Sequence, residues 1–293
     1  MELRVLEYFL TVVREENISR AAEVLHVTQP TLSRQIKDLE EELHTTLFIR
    51  GKRLILTDSG MMLRRRAEEV VTLMHKIDIE FQEQEELSGV ISIGSGGLTA
   101  SKILPELIGH FRERYPLVSF EIITGNADHI KEKLEHGILD FGFLLEPVEI
   151  EKFDYLRMPV KEKWGILLPA NHPLAEEKAV TRKQLKELPL IVTSRTALQR
   201  EIGEWLRDSI SELDIVGTHN LINNAVPLVE HGIACVLTIE GAVDMLDPAR
   251  FAFRPLLPEL SMTSVFAWKK LSPYSGASGK FLEYIKSIHS EHT

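Results

Sequence analysis

Cysteine is almost absent from this chain: 293 residues contain one, Cys235. One thiol cannot close an intrachain disulfide, and it excludes a cysteine-rich zinc site built within one chain. Long apolar runs are missing too. No stretch approaches the ~20 residues that a membrane-spanning helix needs. The opening MELRVLEYFLTVVREEN lacks the basic start and cleavage site of a secretory signal, so cytoplasm is the expected compartment, with no membrane partner. Low complexity and useful internal repeats are absent, and the 44% hydrophobic and 27% charged content is that of an ordinary soluble globular protein.

Positive net charge is lacking as well: the formal total is −10. That total does not exclude a nucleic-acid partner, because phosphate contact depends on the local face presented. The positive charge is grouped, first as Arg34 and Lys37, then Arg50, Lys52 and Arg53, then Arg64, Arg65 and Arg66. The acidic excess lies mainly elsewhere, as at Glu83, Glu85 and Glu86.

Catalytic signatures are wanting. GSGG follows a strand-like run, but Thr99 stands where the third glycine of GxGxxG belongs, and no acidic residue ends the next strand. No GxSxG elbow occurs. His129, His136, His219 and His231 lack metal-ligand spacing and read as surface residues, and Cys235 in IACVL reads as core. No catalytic residue, metal ligand or cofactor is assigned, so an enzyme is not expected. A solute-binding receptor would fit the second half alone, but the N-terminal helices argue against it.

What is present begins with helices. Leu3, Leu6, Phe9, Leu10 and Val13 recur at helical spacing, Ser19 is placed to cap a short second helix through Leu25, and His26-Val27 make a tight connection. Thr28 caps a third helix with Pro30 in its first turn. Leu32, Ile36, Leu39 and Leu43 form that helix's apolar stripe, which leaves Pro30, Ser33, Arg34 and Lys37 on or towards the opposite side. Gln29 and Thr31 sit at its N-terminal end, the part of a recognition helix that usually meets base edges. An outward guanidinium, ammonium and hydroxyl are what a groove-reading face requires. Taken alone, a capped surface helix with a solvated polar face explains them equally well. The stretch TTLFIRGKRLILTDSG then reads as a β-hairpin wing.

From about Ser59 to Leu87 there is no proline, and Leu63, Ala67, Val70, Met74, Ile77 and Phe81 alternate steps of four and three. This predicts a long helix with a dimerisation seam; the alternative is a long helix packed on its own domain. After Ser88-Gly89, strand-like runs alternate with helical ones in two series, which predicts parallel sheets in two lobes. SVFAWKK and the helix after Gly279 are expected to return to the first lobe.

The string ISRAAEVLHVTQPTLSRQIKDLEEELHTTLFIR, followed by LTDSG, resembles the winged helix-turn-helix of the LysR-type transcriptional regulators. The resemblance extends more loosely through GVISIGSGG, ILPELIGHFRERYP, LEHGILDFGFL, LLPANHPLA and VEHGIACVL. It implies an N-terminal, all-α winged helix-turn-helix over residues 1–58, a linker and dimerisation helix over 59–88, and a C-terminal α/β regulatory domain over 89–293. That domain would have the two-lobed, periplasmic-binding-protein-like (type 2) fold, with lobe I about 89–161 and 267–293 and lobe II about 162–266. The implied function is sequence-specific regulation of bacterial transcription in response to a small molecule. The implied partners are double-stranded DNA at pseudo-palindromic sites, a second copy of the chain, often as a dimer of dimers, a small-molecule effector, and RNA polymerase. Within the helix-turn-helix at about 18–37, Gln29, Pro30, Thr31, Ser33 and Arg34 match the family's DNA-contacting helix; Lys37 joins them from its outward position, and Arg50, Lys52 and Arg53 form a wing more basic than in many members.

In doubly wound sheets, ligands sit outside the carboxyl ends of strands. That rule selects Ser95, Gly96, Gly97, Thr99, Ser101, Asn126, Ser194, Arg195, Asn224 and Thr238 as effector-binding candidates. Arg195 is the leading cation and Lys102 the second, so a carboxylate held by Arg195 is one reading of the effector. Its bland rival is that Arg195 caps a helix or lies on the surface.

Overall fold

A computed structural model of the chain describes residues 1–49, 54–80, 86–270, 274 and 276–291. The chain divides into two compact units, Met1–Glu83 and Gln84–Thr293.

In the first unit, α1 (Leu3–Glu15) buries Leu6, Phe9 and Val12 along one face. α2 (Ile18–Val24) starts at Asn17, whose Oδ1 accepts the backbone N–H of Ser19 at 2.9 Å and of Arg20 at 3.1 Å. The cap expected at Ser19 is therefore corrected: Ser19 is already inside the first turn, where its own N–H needs the partner that Asn17 supplies. Ala21 and Ala22 are buried, and His26, at φ 54°, turns the chain towards α3. α3 (Gln29–Glu42) is capped by Thr28, whose Oγ1 accepts the N–H of Thr31. Leu32, Ile36 and Leu39 face the core, whereas Leu43 is the C-terminal cap and 36% exposed.

β1 (Phe48–Ile49) and β2 (Ile55–Leu56) pair antiparallel, as a wing requires. The Glu40 carboxylate on α3 accepts the N–H groups of Leu47 and Phe48, at 2.7 and 3.3 Å, and so anchors the hairpin. The LTDSG string acquires a physical reason. The Thr57 hydroxyl donates to Thr46 O and accepts the N–H of Gly60, and a Cβ on Gly60 would lie 2.2 Å from Leu47 O. α4 (Asp58–Glu80) is long, as expected, but its seam is split. Leu63 and Ala67, with Val71, pack into the first unit's own core, while Val70 and Ile77 are 43% and 45% exposed. Phe81 lies outside the described residues, and Glu86 sits in a bend, so the helix stops short of Leu87.

The second unit opens with β3 (Gly89–Ser95), α5 (Leu104–Arg114), β4 (Val118–Thr124), α6 (Ala127–Glu135) and β5 (Phe141–Leu145), whose strands run parallel in the order β4–β3–β5. β6 (Phe153–Pro169) is one strand of 17 residues, although DYLRMPV and WGILLP read as two. The second lobe follows with β7 (Val180–Thr181), α7 (Arg182–Leu185), β8 (Pro189–Thr193), α8 (Thr196–Leu206), β9 (Asp214–His219), α9 (Val226–Glu230), β10 (Cys235–Ile239) and β11 (Phe251–Leu257). β12 (Ser261–Lys269) then returns to the first sheet between β5 and β6, and α10 (Gly276–Glu291) ends the unit with Phe281 edge-on to Phe111 at 5.0 Å.

β6 belongs to both sheets: Phe153 to Lys163 pair with β12, and Trp164 to Pro169 with β10 and β11. The chain has thus returned by Ser261, earlier than the 267 read from sequence, because the whole of β12 pairs in the first sheet. Both sheets are mixed rather than purely parallel, since β12 and β6 run antiparallel to their neighbours. No helix among the described residues is long and apolar enough to cross a membrane.

Candidate DNA-reading helix and effector cleft

Burial of Leu32, Ile36 and Leu39 turns the other side of α3 outward. Gln29, Pro30, Thr31, Arg34 and Lys37 are exposed, and Ser33 is half-buried. Arg34 and Lys37 face Asp38 and Glu41 at 3.8 and 3.1 Å, in exposed i,i+4 pairs. Such pairs contribute little in water, so both cations can turn to a phosphate. Glu41 and Glu42 are exposed at the far end of the helix, which restricts a phosphate-friendly face to its first half. Arg50, Lys52 and Arg53 lie outside the described residues.

The second unit holds a cleft at the carboxyl ends of its parallel strands. Of the sequence-assigned residues, Gly96, Gly97, Asn126, Arg195 and Thr238 line it. Ser95, Thr99, Ser101, Ser194 and Asn224 do not, and each has a local reason. The hydroxyls of Ser95 and Ser101 donate to Gly96 O (2.8 Å) and Leu98 O (2.7 Å). Thr99 enters a 3₁₀ turn with its Oγ1 buried and without a partner among the described residues. Ser194 and Asn224 face solvent. Asn126 is partly committed too, since its Oδ1 accepts the N–H of His129 and caps α6.

The glycine loop is clamped from behind by Glu162, a fully buried residue that sequence reasoning missed. Its carboxylate accepts the N–H groups of Thr99 (2.8 Å) and Ala100 (3.0 Å) and the hydroxyl of Ser264 (3.2 Å). A Cβ on Gly97 would lie 2.8 Å from the Ala242 Cα, so glycine permits this close approach of the lobes. Lys102, the second candidate cation, pairs with Asp244.

Arg195 is 8% exposed, and its guanidinium is already engaged. Nη1 donates to Leu145 O at 3.2 Å, Nη2 to Pro147 O at 2.8 Å, and Nε lies 3.5 Å from Asp128 Oδ1. Burial pushes its pKa down while Asp128 holds it up. The arrangement ties α8 in one lobe to β5 and α6 in the other.

Sequence reasoning also missed Phe143, Trp164, Thr193, His219, Leu221 and Ile222, all of which line the cleft. The surface position expected for His219 is corrected, because it ends β9 at the same carboxyl edge that marked the loops. Burial lowers its pKa, and the Leu237 backbone opposes that shift too poorly placed to make a bond of good geometry. Cys235 is buried as expected, with its thiol pushed up to about 11 by desolvation.

Residues 3–61 match the bacterial regulatory helix-turn-helix protein, lysR family, and residues 84–289 the LysR substrate binding domain. The Hca operon transcriptional activator HcaR of Escherichia coli is 31% identical over 92% of each chain. The HTH-type regulator YvbU of Bacillus subtilis is 27% identical over 98% of this chain and 99% of its own. Among solved structures, CbnR, a LysR family transcriptional regulator, matches with a TM-score of 0.76 at 19% identity, over 98% of this chain and 99% of that one. CbnR complexed with its target DNA matches with a TM-score of 0.71 at 19% identity, over the same shares. These structures share the fold. With both halves matched in their expected order, the chain belongs to the LysR family and is a DNA-binding transcriptional regulator, not an enzyme, that responds to a small-molecule effector.

Proposed function

We propose that α3 enters the major groove through Gln29, Pro30, Thr31, Ser33, Arg34 and Lys37, with the wing cations Arg50, Lys52 and Arg53 on the flanking backbone. The observation that carries this reading is the outward row on α3 opposite buried Leu32, Ile36 and Leu39. Two copies joined through the exposed Val70 and Ile77 face of α4 would present two such helices to a pseudo-palindromic site, and dimers would pair into tetramers on longer sites. The protein acts in the cytoplasm of a bacterium, where it meets RNA polymerase. The test is fluorescence anisotropy on DNA from upstream of its own or a neighbouring gene. Arg34→Ala should cost about 1–3 kcal/mol and relax base preference, whereas Arg53→Ala should weaken all sites and flatten the salt slope by about one unit. If Arg53→Ala altered base preference and left the slope alone, the wing assignment would be wrong.

The effector is read as occupying the cleft between Gly97 and Thr238. A carboxylate held by Arg195 would have to share the guanidinium with Leu145 O, Pro147 O and Asp128. Those partners support Arg195 as a strut between the lobes, with the effector recognised elsewhere in the cleft.

A further inference from the structure

The cleft carries polar groups that the protein leaves unpaired. Trp164 is 2% exposed and lines the cleft, yet its Nε1–H meets no acceptor among the described residues. Both ring nitrogens of His219, which lines the same cleft, are buried and make no hydrogen bond of good geometry there, although the Leu237 backbone bears on the ring. Such groups are uncommon, because burial without a partner forfeits hydration. A paired indole shows the usual solution: Trp205 Nε1–H donates to Pro258 O at 2.8 Å.

The sheet places both groups at the ligand-facing edge. Trp164 stands opposite Ile239, and His219 opposite Thr193. They sit on the outer members of the row β6–β10–β8–β9, roughly 14 Å apart at the backbone given a spacing of ~4.8 Å between strands. Thr238 and Thr193 lie between them, and Leu98, Phe143, Leu145 and Leu198 make much of the remaining wall apolar. The charge of Arg195 is met by Asp128 and two carbonyls, so no cation lining the cleft among the described residues awaits an anion. An indole N–H only donates, and its partner must accept. A neutral imidazole offers one donor and one acceptor, and burial keeps His219 neutral at physiological pH.

We propose that Trp164 and His219 are the recognition ends of the cleft, selecting an uncharged, mainly apolar molecule with an acceptor oxygen for Trp164 and a hydroxyl for His219. This rests on the reading of the cleft as the effector site.

The test uses the full-length protein, isotope-labelled at its indole nitrogens, and three probes of similar shape: para-hydroxyacetophenone, para-hydroxybenzoate and para-ethyltoluene. The three tryptophans give three indole signals, and Trp164→Phe identifies the first. The hydroxyketone should bind at least roughly tenfold tighter than the hydrocarbon, as a satisfied buried donor warrants, and should move the Trp164 signal downfield. Trp164→Phe should reduce the hydroxyketone to the hydrocarbon's affinity, leave the hydrocarbon's own binding intact, and leave the Trp205 and Trp268 signals in place as a check on folding. His219→Leu should act likewise. Equal affinity of the hydroxyketone and the hydrocarbon, or an unmoved Trp164 signal, overturns the proposal while the cleft reading stands. Tighter binding of the hydroxybenzoate overturns it in favour of a carboxylate at Arg195. If none of the three binds, the cleft reading falls and the proposal with it.

Discussion

In the first unit, the side chains proposed to meet DNA lie along one exposed face of α3, from Gln29 to Lys37. In the second, the cleft draws on residues as far apart in sequence as Gly96 and Ala242. The difference is one of range. A helical face is set by rotation per residue, so neighbouring residues decide it. A cleft is set by which strands lie side by side, so distant residues decide it. The cores follow the same division, with Leu32, Ile36 and Leu39 in one cluster and Phe111, Phe141 and Phe281 in another.

The strongest way to break that comparison is to cut one core and watch both. Leu32→Ala should cost the first unit about 2–5 kcal/mol. Calorimetry should then show its transition falling while that of the second unit holds; a joint fall would mean the cores are not independent. Arg195→Ala, which removes hydrogen bonds from a buried charged group, should cost the second unit about 1.5–3 kcal/mol in urea denaturation. An unchanged midpoint would end its role as a strut. Asn17→Ala should cost about 1 kcal/mol through lost capping of α2, and Ser19→Ala far less. The reverse order would restore Ser19 as the cap.

The smallest effect concerns pH. The folded-state pKa of His219 lies below the ordinary 6.5, so the unfolded chain binds the proton more readily. Its contribution to stability is present above pH 6.5 and is lost as pH falls through that value towards the depressed one. His219→Asn should flatten this part of the stability curve. An identical slope in the variant would remove His219 from the account.

Legibility tracked the same division of range. Thr28, Pro30 and the stripe of α3 were readable because cap chemistry and helical period are local. Asn17 and Ser19 were both capping types two residues apart, and only the backbone distinguished them. In the sensor, the rule of strand ends selected Gly96, Gly97, Asn126, Arg195 and Thr238, which line the cleft. It overreached at Ser95 and Ser101, whose hydroxyls turn back on nearby carbonyls. Trp164 was missed because a tryptophan within an apolar strand reads as core, and only its unpaired N–H sets it apart. β6 was split between Val160 and Trp164, where Lys161, Glu162 and Lys163 part the two runs; Pro159, inside the first run, lies where the ladder with β12 shifts register between Arg157 and Lys161. A proline is tolerated at such an irregularity, so there it marks a bulge and not an end.

The continuity of β6 has a mechanical consequence. One backbone, laddered along its first part to β12 and along its second to β10 and β11, carries the chain between the lobes. The return path is only residues 258–260, the short link between β11 and β12. Lobes joined in this way have little slack to swing on. A turn of one lobe against the other would twist the hydrogen-bonded ribbon near Lys163 and Trp164 or cost ladder bonds there. A torsion of that ribbon would be centred beside Trp164, which lines the cleft.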